Sequence, residues 1–149
     1  MKIMFICTGN ICRSAMAHHL FEKMLEDNNI TDVEIYSSGI YAEYNDIPTY
    51  DAIEVMKEYD VDLKKHRATN TSYSDIKNMD LILGMTLSHK QELIYMYPEL
   101  KEKIYTLKEY VENTQDGINI KDPWGFDIAT YRFCAAEIEK CLELLIKKL

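Results

Sequence analysis

The sequence predicts an α/β fold built on a parallel β-sheet. Four short apolar segments of strand length alternate with longer segments whose apolar residues recur at helical spacing. The first segment, residues 2–6, is continuously apolar, as expected for a strand that is covered on both faces of a sheet. Alternating strands and helices favour right-handed crossovers, and the functional site of such a fold lies at the carboxyl ends of its strands.

The first half of the chain supplies two of these strands. A loop at residues 7–14 follows the first strand, and Ser14 is the predicted N-cap of a helix that ends near Asn28. The second strand covers residues 33–37. A loop between Gly39 and Pro48 then leads to a helix marked by the apolar residues Ala52, Ile53, Met56 and Tyr59.

The second half supplies the other two strands. The third strand covers residues 80–85, and Thr86 is the predicted cap of a helix that runs to Tyr97, where Pro98 prevents its continuation. The fourth strand covers residues 103–107. After a polar loop, the last helix runs from about Asp127 to the C-terminus.

Length, charge and cysteine spacing exclude several classes of protein. With 149 residues, 47% of them apolar, the chain can bury one sizeable core, so we expect a single domain over residues 1–149. The net charge of −8 argues against nucleic acid or an anionic membrane as the main partner. No apolar run approaches a membrane span, and residues 1–3 lead directly into a strand without a signal-peptide core, so we expect a cytoplasmic protein. The four cysteines show no metal-ligand spacing and no dense disulfide framework, which is typical of a reducing compartment.

The loop between the first strand and the first helix predicts an anion site. Such a turn directs successive backbone N–H groups and a helix N-terminus at one point. Cys7 lies at the start of this loop, where the helix N-terminus and Arg13 both favour the nucleophilic thiolate. The planar guanidinium of Arg13 can donate hydrogen bonds to two oxygens of a tetrahedral oxyanion. We therefore interpret Cys7 as a nucleophile and Arg13 as its phosphate-binding partner.

This loop resembles that of the low-molecular-weight protein tyrosine phosphatase family. The residues that carry the resemblance are Cys7-Thr8-Gly9-Asn10-Ile11-Cys12-Arg13-Ser14, which fit the family form Cys-x-Gly-Asn-x-Cys-Arg-Ser at every fixed position. The resemblance extends over essentially the whole chain. It implies four parallel strands with helices on both faces, and a phosphatase that works through a cysteinyl-phosphate. It also implies phosphorylated protein substrates, inorganic phosphate as product, and no metal or cofactor.

The resemblance also assigns roles to residues outside the nucleophile. Thr8, Gly9, Asn10, Ile11, Cys12 and Ser14 would surround the phosphate, and the Ser14 hydroxyl would hydrogen-bond the sulfur. Asp122, in an Asp-Pro-aromatic segment before the last helix, would be the general acid that protonates the leaving group. His66 would brace Asn10, which needs an unusual backbone conformation. Tyr41, Tyr44 and Trp124 are the candidate walls for the ring of the substrate.

Two substrate cues in the sequence disagree. In this family, isoleucine at the position of Ile11 goes with phosphotyrosine, whereas threonine there marks a bacterial branch that dephosphorylates arginine. The segments Met85-Thr86, His89-Lys90 and 106–110, together with 122–125, resemble that arginine-phosphatase branch. Because Ile11 would lie beside the phosphate, we predict phosphotyrosine as substrate and keep phosphoarginine as the alternative.

Three further interpretations are less favoured by the residues. A thioredoxin-coupled arsenate reductase would need two more cysteines, but Cys134 and Cys141 lie about 10 Å apart on a helix, too far for a disulfide. A non-catalytic phosphate-binding module would have no use for Asp122. The adjacent His18 and His19 are expected to point in different directions at the surface, so we do not predict a metal site there.

Overall fold

The order of the elements follows the predicted alternation. The computed structural model describes residues 1–149. Its strands and α-helices are β1 (Lys2–Cys7), α1 (Arg13–Asp27), β2 (Glu34–Gly39), α2 (Tyr50–Lys57), β3 (Leu81–Gly84), α3 (Leu87–Met96), β4 (Ile104–Thr106), α4 (Leu107–Glu112) and α5 (Ile128–Ile146). Short 3-10 helices occupy Thr71–Tyr73, Ile76–Asn78 and Pro98–Lys103. The predicted α/β class is confirmed.

All four strands are parallel, in the order β2-β1-β3-β4. Strand β1 is therefore central, with β2 paired along its full length from Lys2 opposite Glu34 to Cys7 opposite Gly39. The chain leaves β1 toward β2 on one side and later returns to β3 on the other. The loop after β1 thus begins at the point where the strand order reverses, which is where α/β sheets bind their ligands.

Helices cover both faces of the sheet. Ile3 and Phe5 of β1 face a large core that α1, α2, α4 and α5 complete, whereas Met4 and Ile6 face a smaller core with Leu93 of α3. This division follows from the alternation of side chains along a strand. None of the helices combines the length and the hydropathy that crossing a bilayer requires.

Helix α4 was not predicted. The predicted fourth strand extends to residue 107, but the strand ends at Thr106, which is the N-cap of α4. The side chain of Thr106 accepts a hydrogen bond from the backbone N–H of Glu109, and Glu109 accepts one from the N–H of Thr106. This reciprocal capping box, together with the buried Leu107 and Val111, is enough to start a short helix.

The prediction that Ser14 caps the first helix is wrong. Helix α1 begins at Arg13, its N-cap is Cys12, and no side chain caps it. The hydroxyl of Ser14 instead lies behind the loop, near Cys7 and Asn10. The N–H groups at the start of α1 are therefore not occupied by a capping side chain, as an anion site requires.

Candidate active site

The loop between β1 and α1 is held against the end of β2. Gly39 pairs with Cys7, and a Cβ at Gly39 would lie 2.6 Å from the carbonyl oxygen of Thr8 and 2.8 Å from the amide nitrogen of Asn10. No side chain fits in that space, so the glycine lets β2 approach the backbone of the loop directly. The strand thereby fixes the path of the loop.

Asn10 is the internal brace of the loop. Its backbone is left-handed, with φ of 57°, and its side chain is fully buried. The side-chain Nδ2 donates to the hydroxyl of Ser14 at 2.8 Å, and Oδ1 accepts from the amide of Thr69 at 3.0 Å. The carbonyl oxygen of Asn10 lies 2.8 Å from Nε2 of His66, at the position that the sequence analysis expected for His66. These hydrogen bonds offset the cost of the left-handed conformation.

Two donors surround the sulfur of Cys7. The side chain is buried, its Sγ lies 2.9 Å from the Ser14 hydroxyl oxygen, and the amide of Asn10 donates to Sγ at 3.3 Å. Asn10 Nδ2 donates to the Ser14 hydroxyl, and the proton of that hydroxyl can go to the sulfur at 2.9 Å or to the carbonyl oxygen of Ser38 at 3.5 Å. Donors directed at a sulfur stabilise its negative charge.

The guanidinium of Arg13 is buried beside the same loop. Its Nη1 donates to the carbonyl oxygen of Ile120 at 2.9 Å, and its Nη2 lies 3.5 Å from Oδ2 of Asp122. The buried Nε has no hydrogen-bond partner within the protein. Because leaving such a donor unpaired costs about 1–3 kcal/mol, its position suits a site that receives an oxyanion.

Asp122 reaches the site from the segment before α5. Its side chain is half exposed, and its Oδ1 accepts from the amide of Trp124 at 3.1 Å. The thiol of Cys12 donates to the same oxygen at 3.8 Å. Burial, together with the nearby Cys7 and Asp122, raises the pKa of the Cys12 thiol far above its ordinary value. Cys12 therefore stays protonated, which leaves Cys7 as the candidate nucleophile.

Cys7, Arg13 and Asp122 open into one cavity of about 390 Å³. Its lining consists of Cys7, Thr8, Gly9, Ile11, Cys12, Arg13, Asp46, Asp122 and Trp124. A larger surface cavity of about 560 Å³ lies between α1 and β2, but it contains neither a thiol nor an arginine. We therefore assign the chemistry to the smaller cavity at the carboxyl end of β1.

Several predicted site residues lie outside this cavity. Tyr41 and Tyr44 are 65% and 83% exposed, and the hydroxyl of Tyr41 donates to Glu92; neither ring lines the cavity, and their contact with a bound substrate stays a prediction. The loop that carries them presents Asp46 to the cavity instead. The side chains of Asn10 and Ser14 are buried behind the loop, where they support it without lining the cavity.

Two residues near the site were missed. Asp46 is a second carboxylate in the cavity, and the polar segment around it gave no signal for that role. His89 lies beneath Thr8, with Nε2 2.9 Å from Oγ1 of Thr8 and Nδ1 3.0 Å from Oγ1 of Thr86. Burial and the nearby Arg13 lower the pKa of His89 to about 4. The spacing Thr86-x-x-His89, which places the histidine one helical turn after its cap, was the available signal.

The prediction that His18 and His19 point apart at the surface is also wrong. Their rings stack with a centroid distance of 4.1 Å and an interplanar angle of 5°. His19 Nε2 lies 2.9 Å from Nδ1 of His66, and burial lowers the pKa of His66 to about 4. Both side chains lean toward the segment that carries His66, an orientation that helical spacing alone does not determine.

Known proteins are similar to this chain in sequence and in fold. A family model described as low molecular weight phosphotyrosine protein phosphatase matches residues 2–149. A protein-arginine-phosphatase of Bacillus subtilis is 35% identical over 149 residues, covering 100% of this chain and 97% of that protein. The low molecular weight protein-tyrosine-phosphatase PtpB of Staphylococcus haemolyticus is 39% identical over 132 residues, covering 89% and 88%.

A solved structure shows the same architecture. It is a cysteine-to-serine mutant of the YwlE arginine phosphatase with a phosphorylated active site serine. The TM-score is 0.94 and the identity 34%, with 100% of this chain and 95% of that chain covered. The likeness therefore includes every strand and helix described above.

Proposed function

The chain belongs to the low molecular weight phosphotyrosine protein phosphatase family, and we propose that it hydrolyses phosphotyrosine in proteins through a cysteinyl-phosphate at Cys7. The observation that carries the proposal is the shared cavity, in which the sulfur of Cys7, the guanidinium of Arg13 and the carboxylate of Asp122 meet. The family model confirms the family resemblance predicted from the sequence. The roles of the individual residues remain our proposal.

The first step transfers the phosphoryl group to Cys7. The N–H groups of the loop and the guanidinium of Arg13 hold the non-bridging oxygens of the phosphate. The thiolate of Cys7 attacks phosphorus, so the S–P bond forms while the bond from phosphorus to the phenolic oxygen breaks. Asp122 gives its proton to that oxygen, and neutral tyrosine leaves.

The second step releases inorganic phosphate. Asp122, now a carboxylate, takes a proton from a water molecule that attacks phosphorus as the S–P bond breaks. The Ser14 hydroxyl, 2.9 Å from Sγ, stabilises the sulfur as it regains negative charge. These steps use only the side chains and backbone of the chain.

The apolar wall of the cavity supports phosphotyrosine. Ile11 and Trp124 line the cavity next to the loop and offer contact to an aromatic ring. Neither side chain has an acceptor for the N–H groups of a guanidinium. The tyrosine phosphatase PtpB, which is 39% identical, gives the proposal independent support.

Phosphoarginine is the second candidate substrate, and Asp46 is the observation that favours it. Together with Asp122, it places two carboxylates in the cavity, where a cationic guanidinium would be attracted and a phenolic ring would not. The arginine phosphatase of Bacillus subtilis also matches the whole chain. Either substrate fits the same nucleophile and the same phosphate loop.

One comparison separates the two substrates. Peptides of identical flanking sequence, carrying phosphotyrosine or phosphoarginine, are assayed side by side for phosphate release, with Cys7→Ser as the blank. We expect the higher kcat/KM for phosphotyrosine. A preference for phosphoarginine that Asp46→Asn removes would contradict this substrate assignment and identify Asp46 as the selecting residue.

The setting of the reaction also belongs to the proposal. We propose that residues 1–149 act as one catalytic domain in the cytoplasm, on phosphorylated proteins. The net charge of −8 supports the expectation that neither nucleic acid nor an anionic membrane is the main partner.

A further inference from the structure

Three histidines meet behind the phosphate loop, outside the cavity described above. His18 and His19 come from α1 and His66 from the segment after α2, and one ring nitrogen of each lies within 4.8 Å of the others. His66 is buried, and the other two are partly exposed. Nothing in the proposed phosphatase mechanism uses His18 or His19.

Hydrogen bonds orient the rings of His66 and His18. His66 Nε2 faces the carbonyl oxygen of Asn10, which only accepts, so Nε2 carries the proton and Nδ1 presents a lone pair to the cluster. His18 Nδ1 lies 2.7 Å from the hydroxyl of Ser37, which can accept its proton and leave a lone pair on Nε2. A metal-binding histidine is commonly fixed in this way, through its second nitrogen.

His19 lies between two groups that both accept. Its Nε2 is 2.9 Å from Nδ1 of His66, and its Nδ1 is 3.2 Å from Oε1 of Glu22. The same carboxylate lies 3.5 Å from Nε2 of His18. Lone pairs and a carboxylate directed at one region need a cation there, either an extra proton or a metal ion.

The surroundings favour the arrival of a cation. An open cavity of about 270 Å³ borders the cluster at His19 and Glu22. It is also lined by Glu26, Asp60 and Asp62, against a single cation, Lys23. A concave surface of one charge raises the local concentration of ions of the opposite charge.

We propose that His18, His19 and His66 bind a divalent transition-metal ion of the Zn²⁺ type, with the carboxylate of Glu22 as fourth ligand. Imidazole nitrogens with one carboxylate form a donor set that zinc takes in proteins. Tetrahedral zinc with bonds of about 2.1 Å separates its ligands by about 3.4 Å, so the partly exposed His18 and His19 rings would rotate slightly when the metal binds.

The site would be coupled to the phosphate loop. A metal ion on Nδ1 of His66 keeps the proton on Nε2 and makes that N–H a stronger donor to the carbonyl of Asn10. Zinc should therefore slow hydrogen exchange of the loop amides at residues 8–13. This readout does not depend on catalysis, so it is distinct from any test of the phosphatase function.

Zinc titration by calorimetry tests the site. The parent is the full chain with Cys7→Ser and Cys12→Ser, because the active-site thiols would otherwise bind zinc themselves. We expect one zinc ion per chain, and a loss of affinity of at least about tenfold in His18→Ala, His19→Gln and Glu22→Gln added singly. Glu26→Gln is the matched control: it removes a carboxylate from the same cavity and should change the affinity less than twofold.

Three results would overturn the proposal. The first is a folded parent that binds no zinc, and the second is zinc binding that survives both histidine substitutions. The third is an equal loss of zinc affinity in Glu22→Gln and Glu26→Gln, which would show that negative charge in general attracts the ion and that Glu22 is not a ligand. Circular dichroism verifies the fold of each variant, and since Glu22 is about half exposed, its substitution remains informative if a histidine variant unfolds.

Discussion

The hydroxyl oxygen of Ser14 lies 2.9 Å from the sulfur of Cys7, although the two residues are seven positions apart along the chain. The contact crosses the interior of the phosphate loop, from the last residue of β1 to the first turn of α1. Asn10 donates to the same hydroxyl, whose own proton can go to the sulfur or to the more distant carbonyl oxygen of Ser38 at 3.5 Å. The loop thus places a hydroxyl beside the sulfur of the proposed nucleophile.

Ser14→Ala should lower kcat about ten- to a hundredfold with little change in KM. It removes one hydrogen bond to the sulfur that acts as attacking and leaving thiolate in the proposed mechanism, a loss of about 1.5–3 kcal/mol. Steady-state kinetics on a phosphotyrosine peptide measure the effect. Ser72→Ala, which removes an exposed hydroxyl, is the control, and equal activity of the two variants would show that the contact has no catalytic role.

Asp122→Asn should slow substrates with poor leaving groups far more than activated aryl phosphates. Only a basic leaving oxygen needs a proton in the transition state. The measurement compares kcat for phosphotyrosine and for a nitrophenyl phosphate. Asp116→Asn removes an exposed carboxylate from the same connecting segment and serves as control. Equal losses on both substrates would place the general acid elsewhere.

Ile11→Thr should lower activity on phosphotyrosine and raise activity on phosphoarginine. Isoleucine offers the guanidinium no acceptor, and an unpaired donor costs about 1–3 kcal/mol, or about ten- to a hundredfold in rate. A threonine hydroxyl supplies that acceptor beside the loop. The ratio of kcat/KM for the two phosphopeptides reports the change, and an unaltered ratio would show that Ile11 does not select the substrate.

His89 should make the protein less stable in acid. Its native pKa of about 4 is below the value of about 6.5 expected in the unfolded chain, so between these values the unfolded chain binds a proton that the native state does not. The contribution of His89 to the free energy of unfolding is therefore complete above pH 6.5, and it decreases by about 3 kcal/mol as the pH falls to 4. Urea unfolding at several pH values should show a smaller acid loss in His89→Gln than in the wild type. Equal losses would contradict the assignment.

The backbone of the fold followed from local patterns in the sequence. Continuous apolar runs predicted the strands, helical spacing predicted most helices, and the order of the elements predicted the parallel sheet. Helix α4 was missed because its pattern spans only residues 107–112, too short to show a period, although the Thr106-x-x-Glu109 capping box was available.

The positions of side chains around the site depend on tertiary contacts. Tyr41 and Tyr44 were placed at the site by their position in the chain, but the loop that carries them is anchored by hydrogen bonds between Asn45 and Asp46 on one side and Ala68 on the other. Those tertiary contacts present Asp46 to the cavity. The stacking of His18 on His19 likewise depends on the position of His66, which no local pattern reveals.

Turnover by Cys7→Ser shows whether the Cys7 sulfur is the nucleophile. A serine hydroxyl in the loop has no adjacent general base, and a serine oxygen leaves phosphorus far less readily than a thiolate, so we expect no measurable hydrolysis of phosphotyrosine while the fold and phosphate binding persist. Cys141→Ala, which removes a buried thiol from α5, should remain active. Turnover by Cys7→Ser within about tenfold of the wild type would contradict the assignment of Cys7 as the nucleophile.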